Sequence, residues 1–505
     1  NPQHRLFIGG MWNKFDDDQQ RSRSRFRFDR GEFSPDGTSV TGARNVLIST
    51  DRLETAIQTQ FSGGGVHQFD SFLLDWKVAH SSASEEADPQ LESEWEVRGI
   101  DYTIDFSDPK FPDWQQTNAA EVDRMNPDVY ELQGFDWRHR TANDMNTVIA
   151  ANFKFPINIS NIASEIKFGG KMRMKEKDRE DTRIGYGWDG DDLAMGPYAT
   201  VQTEKNFLQN NYVYGPTVDY DKAWQLFENN RGTSNLEEEE DIWDSRGQTF
   251  LAKEDIYAGY AMLTMNWSEF MLLAGGRYES TKNDYTGTLL LFDDNGDFSS
   301  ASPASDERTT GFFMPMIHTK WQVQRMTNVR LAATRTMARP NYWDLVPYLS
   351  INPDDEELRS GNPELEVTTS WNYDLMAEHY FVGVGVLSGG FFYKDMDNII
   401  FESTRDIEGG DFDGYEIEQA VNGGKATLYG FELNWQQQLN FLPGMWAGFG
   451  IYANYTKTWA SSDLIKDFRE GEDFLPGQAG DIGNLALSYE WGGLTSRISV
   501  MHQSK

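Results

Sequence analysis

The chain has 505 residues, no cysteine and a formal charge of -35, from 45 Lys and Arg against 80 Asp and Glu. A field of that sign repels phosphate backbones and excludes nucleic acid as a partner, and without cysteine there is no disulfide framework and no thiolate metal site. Mean hydropathy is -0.63, and no apolar run reaches the roughly 18 residues of a spanning helix.

A helical membrane protein is thereby ruled out. An aromatic-rich soluble β protein and a strand-built membrane protein both remain. Aromatics reach 14%, with 16 Trp, 21 Tyr and 32 Phe, a supply that suits the two interfacial girdles of an outer-membrane barrel. The chain opens on Asn1, with neither an initiator Met nor a signal peptide, as in a processed chain or one that starts within a longer protein.

Hydrophobic/polar alternation bounded by turn residues predicts about fifteen strands of roughly ten residues. In chain order the first seven are Arg5–Lys14, Arg52–Phe61, Phe72–His80, Met145–Phe155, Glu165–Met174, Asp255–Trp267 and Phe270–Thr281. The next five are Gly311–Val323, Thr327–Ala338, Ser370–Phe381, Val386–Asp397 and Thr427–Leu439, and the last three Trp446–Thr458, Gly483–Trp491 and Thr495–Gln503. In the tenth, Trp371, Tyr373, Leu375, Ala377, His379 and Phe381 share one face, and Asn372, Asp374, Met376, Glu378 and Tyr380 the other. One apolar face beside one polar face, repeated many times, suits a sheet with lipid outside and water inside.

The connectors set the orientation. Short ones, such as Ser268–Glu269, Gln324–Met326 and Gly492–Gly493, alternate without exception with long ones, such as Phe15–Asp51, Ser81–Asp144, Lys175–Glu254 and Arg339–Thr369. Tight turns at one end and long loops at the other are the arrangement of a bacterial outer-membrane barrel. Loops this long are uncommon in a compact soluble domain.

Three stretches then bear on family: TRTMARPNYWDLVPYL (Thr334–Leu349), GNPELEVTTSWNYDLMAEHYF (Gly361–Phe381) and LSGGFFYKDMDNII (Leu387–Ile400). With GGKATLYGFELNWQ (Gly423–Gln436) and GNLALSYEWGGLTSRISV (Gly483–Val500), their ordered succession resembles TonB-dependent outer-membrane receptors. Within these it looks most like the proteobacterial subgroup linked to carbohydrate uptake. The resemblance implies an all-β transmembrane antiparallel barrel of about 22 strands with an N-terminal plug and a TonB-contacting segment. Neither precedes the first strand here, and the chain ends at Gln503–Lys505 without the family's terminal aromatic. The expectation is therefore a partial barrel over 1–505, showing strands 5 to 19 of the family.

For function the resemblance implies active import of an oligosaccharide, with the TonB complex as energy source, lipid and lipopolysaccharide around the barrel, and a surface lipoprotein as a further partner. A ferric-siderophore receptor of the same fold is the first alternative, which a basic cluster lining the pocket would favour. A surface receptor for a protein partner is the second, which large apolar loop patches would favour. No cofactor is predicted. No nucleophile elbow, phosphate-binding glycine loop or HExxH motif is present, so the reading is not an enzyme.

Sugars dock on flat aromatic faces with a few placed polar groups. Loop aromatics available for this are Trp114, Trp137, Tyr186, Trp188, Tyr198, Tyr212, Tyr214, Tyr220, Trp224, Trp243, Tyr342, Trp343, Tyr348 and Trp459. Most loop aromatics simply pack loops together. The candidates for substrate binding are Trp188, Tyr198, Trp224, Tyr342 and Trp343, each beside polar partners in a long loop. Asp293–Asp297 resembles the start of a calcium loop but has Ser302 where the bidentate Glu belongs, so it reads as an acidic turn. Glu237–Asp241 reads as a solvated, self-repelling loop.

Overall fold

The computed structural model describes residues 3–504 apart from 109, 201–203, 211, 243, 293–297, 353–355, 411, 463–474 and 476. Trp243 and the acidic turn Asp293–Asp297 thus lie outside the described residues.

All fifteen expected strands form. They are β1 (His4–Arg27), β2 (Ser39–Gln68), β3 (Leu73–Asp105), β4 (Glu131–Ile159) and β5 (Ile162–Trp188). β6 (Phe250–Asn266), β7 (Phe270–Phe292), β8 (Phe298–Gln324), β9 (Thr327–Ala338) and β10 (Thr368–Tyr380) follow. β11 (Gly385–Asp406), β12 (Glu416–Gln438), β13 (Phe449–Ser462), β14 (Asp481–Trp491) and β15 (Leu494–Gln503) complete the set.

Each pairs antiparallel with the next in one continuous meander. The same order continues to the last strand. Among the described residues β1 pairs only with β2 in this series, and β15 only with β14.

The tight turns have the backbone that right-twisted hairpins require. Two-residue turns of this kind need positive φ at both positions. Ser160 and Asn161 supply 50° and 67° between β4 and β5, and Gly492 and Gly493 supply 59° and 85° between β14 and β15. Alternation aims one face outward: Phe313, Trp321, Leu331, Phe391, Leu433 and Leu485 are each at least half exposed. A band of that kind suits hydrocarbon rather than water. On the opposite face polar groups meet one another, as in Arg330–Glu378 at 3.2 Å and Arg277–Glu279.

The long connectors differ from the sequence expectation. β1 to β5 run 24, 30, 33, 29 and 27 residues, whereas about 9–11 residues cross a bilayer. Much of what the pattern assigned to loops is strand continuing beyond the membrane. In Arg21–Arg27 polar residues occupy both faces, so no apolar face signals a strand; the ladder to Thr50–Arg44 of β2 satisfies the backbone regardless. Likewise Leu236–Glu240 is a short strand on β5, with Glu237 opposite Gly187, rather than a loose loop.

These extensions enclose a core of their own. Val40, Leu47, Trp95, Ile100, Tyr102, Tyr130, Phe135 and Phe227 are all 4% exposed or less. The helix Tyr220–Asn230, capped by Asp219, which accepts the Lys222 N–H at 3.1 Å, adds Ala223, Leu226 and Phe227 from one face. Full burial of each large apolar side chain contributes about 1.5–3 kcal/mol. The result is a folded cap over the long-loop end of β1–β5.

Candidate functional site

Over β6–β12 the long-loop end is built differently. Pro340 lacks the N–H that would continue the ladder, so β9 ends at Ala338. The chain then makes a helical turn, Tyr342–Leu345, closed by the Val346 N–H on Tyr342 O at 3.0 Å. Leu349–Asn352 and Glu357–Ser360 form a small ladder, the second lying parallel to Glu416–Gln419 of β12. Leu345, Val346 and Leu365, each 5% exposed or less, anchor the segment on Phe250, Ala252 and Tyr285.

A charge network locks it further. Arg339 donates to Glu279 at 2.7 Å and to Thr281 at 2.9 Å, and its Nε lies 3.6 Å from Glu254. The Tyr342 hydroxyl donates to Glu254 at 3.0 Å, and Lys175 Nζ sits 4.9 Å from the Tyr342 ring. Burial, together with the Glu254 charge, raises the Tyr342 phenol above its usual range. Glu254 is only 4% exposed, so loss of its partners would strand a buried carboxylate.

Two cavities flank this segment. The first, about 500 Å³, is bordered by Tyr285, Arg308, Phe312, Arg335, Arg339 and Leu365. The second, about 350 Å³, is bordered by Asn341, Trp343, Asp344, Tyr348, Arg359 and Gln419. Trp343 stacks on Tyr348 at 4.2 Å and 23°, and lies 5.6 Å from Phe250. Burial pushes the Tyr348 phenol up to about 12, with the Asp344 charge adding to it.

A third cleft of about 630 Å³ lies under the cap, between Ser22–Phe26 and the 110–124 and 207–215 segments. Arg23, Arg25, Lys110 and Arg124 line it with Phe26, Trp114, Tyr212 and Tyr214; among the described residues no carboxylate borders it, though Arg23 is held by Glu92 at 2.9 Å. Arg124 sits 4.9 Å from the Trp114 ring, which stacks on Tyr212 at 5.9 Å.

The five candidate aromatics separate into two groups. Trp343 borders the second cavity, and Tyr342 supports it through Glu254. Trp188, Tyr198 and Trp224 pack against the cap core instead. Trp188 donates to Asp191 O at 3.0 Å, Tyr198 lies 5.7 Å from Trp95, and Trp224 donates to Asp51 at 2.7 Å. None of these three borders the three cavities.

The residues overlooked in the sequence are Asn283, Tyr285, Arg308 and Arg335. The first two continue the face of Arg277, Glu279 and Thr281 along β7, beyond the Thr281 end that alternation suggested. Among the described residues, no group of three or more His, Asp or Glu side chains could hold a metal ion.

No curated protein matches the chain. Among solved structures it is similar to the alcaligin outer-membrane receptor FauA of Bordetella pertussis, at 11% identity and TM-score 0.44, covering 96% of this chain and 68% of that one. It is similar also to the ferric-catecholate import receptor Fiu of E. coli K12, at 11% identity and TM-score 0.45, covering 95% and 68%. The ferric enterobactin receptor PfeA of Pseudomonas aeruginosa gives 12% identity and TM-score 0.46, covering 99% and 68%. The chain spans 66% of the ferric citrate transporter FecA. At such identities, what those receptors bind is a property of theirs alone.

The family model described as TonB dependent receptor-like, beta-barrel, matches residues 4–504, a span that lends no support to the expectation of missing strands. With that match and the antiparallel meander together, the chain belongs to the TonB-dependent receptor β-barrel family, whose members are receptors and transporters of the bacterial outer membrane rather than enzymes.

Proposed function

We propose that this chain forms the barrel of an active importer and that its cargo is an oligosaccharide. The observation that carries this reading is the Trp343–Tyr348 platform, 4.2 Å between rings, in a cavity that also presents Asn341, Asp344, Arg359, Ser360 and Gln419. Flat aromatic faces beside a few fixed donors and acceptors are what a sugar ring needs, since its C–H face stacks and its hydroxyls hydrogen-bond at the rim. Trp343 makes the contact in this reading, and Tyr342 positions the segment that carries it. The TonB complex, engaged through a segment N-terminal to the barrel, drives release of the cargo. Lipid and lipopolysaccharide surround the apolar band, and a surface lipoprotein closes over the long-loop end.

A second reading, an anionic ferric chelate, draws on the cleft lined by Arg25, Lys110 and Arg124, the last lying against Trp114 and Phe26, with Arg23 beside them held by Glu92. Such a cluster offsets locally the repulsion that a chain of net charge -35 exerts on anions. The two readings part on regulation. Quantitative mass spectrometry of outer membranes from cells grown iron-starved, or on single plant and algal oligosaccharides, measures the abundance of this polypeptide. Induction by a glycan supports the sugar reading; induction by iron starvation alone sinks it in favour of the chelate.

A further inference from the structure

The 500 Å³ cavity beside the Arg339 network holds polar groups that the protein leaves unused. Tyr285 is 2% exposed, yet its hydroxyl has no partner among the described residues; Asn283 Oδ1 and Arg335 Nε are buried and unpaired in the same way. All three residues border the cavity. A buried polar atom left unpaired costs about 1–3 kcal/mol, and native proteins carry few of them. Three around one cavity mark it as shaped for groups brought by something else.

Charge narrows the chemistry. Of the three guanidinium groups on the cavity, only Arg339 is held by carboxylates. Arg308 donates to the main-chain oxygens of Pro363 at 3.3 Å and Leu365 at 3.2 Å, and Arg335 lies 4.5 Å from the Phe312 ring. Two arginines thus face the cavity with no carboxylate partner among the described residues. A planar guanidinium fork is matched by a planar carboxylate, which it binds bidentately. Phe312, Leu345 and Leu365 supply an apolar wall. Glu366 and Asp397 can accept from hydroxyls, and with the buried Glu254 they repel a multiply charged ligand.

Resting on the oligosaccharide reading, we infer that this cavity is the selectivity subsite for a uronate, a sugar carrying one carboxylate, within the imported oligosaccharide. The carboxylate pairs with Arg335 and Arg308, side-chain rotations bring Asn283 Oδ1 and the Tyr285 hydroxyl, covered as they stand, to ring hydroxyls, and the C–H face lies on Phe312.

The test is isothermal titration of the full-length receptor in detergent. Its ligands are aldobiouronic and aldotriouronic acids, oligosaccharides that carry a single uronate, each beside its carboxyl-reduced counterpart, with neutral xylo- and cello-oligosaccharides alongside. At least one acidic series binds roughly tenfold or more tightly than its reduced form, the scale expected of one charge-assisted pair. Arg335→Gln brings that preference close to one, and Arg335→Lys restores only part of it. Arg308→Gln provides the same measurement if Arg335→Gln does not fold. Equal affinity for acidic and reduced forms, or binding of neutral oligosaccharides alone, overturns the uronate subsite while the oligosaccharide reading stands. Failure of every glycan to bind overturns both.

Discussion

The long-loop ends of β1–β5 and of β6–β12 draw on the same residue types and use them in opposite ways. Over β1–β5, Trp95, Tyr102, Tyr130 and Phe227 are driven to at most 1% exposure and form the interior of a cap. Over β6–β12, Leu345, Val346 and Leu365 hold a segment in place, and Trp343 and Tyr348, stacked on each other and partly buried against that cluster, also border a cavity. The difference teaches that an aromatic in a long loop is not by itself a binding residue. On the function proposed above it becomes one when packing fixes its position and part of the ring still borders a cavity.

Trp95→Ala breaks the comparison most severely. Truncation of a fully buried indole removes about 3–5 kcal/mol, and all of that loss should stay in the cap. Hydrogen exchange should accelerate in 93–104 and 130–137 and remain unchanged in β6–β15.

Arg339→Ala is the counterpart on the other side, because it leaves the buried Glu254 and Glu279 with fewer partners; about 3 kcal/mol is the expected loss. Faster exchange across 340–352 with an unaltered cap would confirm that the two regions are independent. Simultaneous loosening of both would show that they are one cooperative unit.

A functional contrast comes next. Trp343→Ala should weaken oligosaccharide binding roughly tenfold, equal to about 1.4 kcal/mol. Trp188→Phe, which loses the hydrogen bond to Asp191 O and part of the indole's packing on the cap core, should leave that binding unchanged and lower cap stability by about 1–2 kcal/mol. If the two substitutions exchange effects, the cavity assignment is wrong.

The last prediction concerns Tyr348, whose effect appears only at alkaline pH. Its phenol is raised from the usual 10.0 to about 12, so the folded state holds the proton more tightly than the unfolded chain. That contribution to stability is complete below pH 10 and is lost as pH rises from 10 through 12. Several tyrosines ionise late in this chain, so ultraviolet titration should show one fewer late phenolate in Tyr348→Phe, with the docked segment loosening over the same interval.

Strand existence was highly legible in the sequence and strand length was not. Thr327–Ala338 has the same limits in pattern and structure, because an apolar face, a polar face and tight flanking turns all point to one answer. β3 was read as ending near His80 and runs to Asp105. Above the membrane no lipid imposes alternation, and stretches such as Glu92–Val97 carry acid groups between their buried residues, which hides Trp95 and Val97. Trp343 was legible as a candidate because it follows directly on a strand end. Asn283, Tyr285, Arg308 and Arg335 were not, since their strands come together only through a register of pairings such as Asn283 with Arg308.

The sequence by itself determined that this is a strand-built membrane protein, how many long strands it has and which end carries the tight turns. Those properties are local, set by a two-residue side-chain period and by the backbone preferences of Gly, Asn and Ser. Only the tertiary structure decided which aromatics are core and which remain open, and which arginines lack a carboxylate. Those properties depend on contacts between residues far apart in the chain, Tyr342 with Glu254 or Arg339 with Glu279, and no spacing within one strand encodes them.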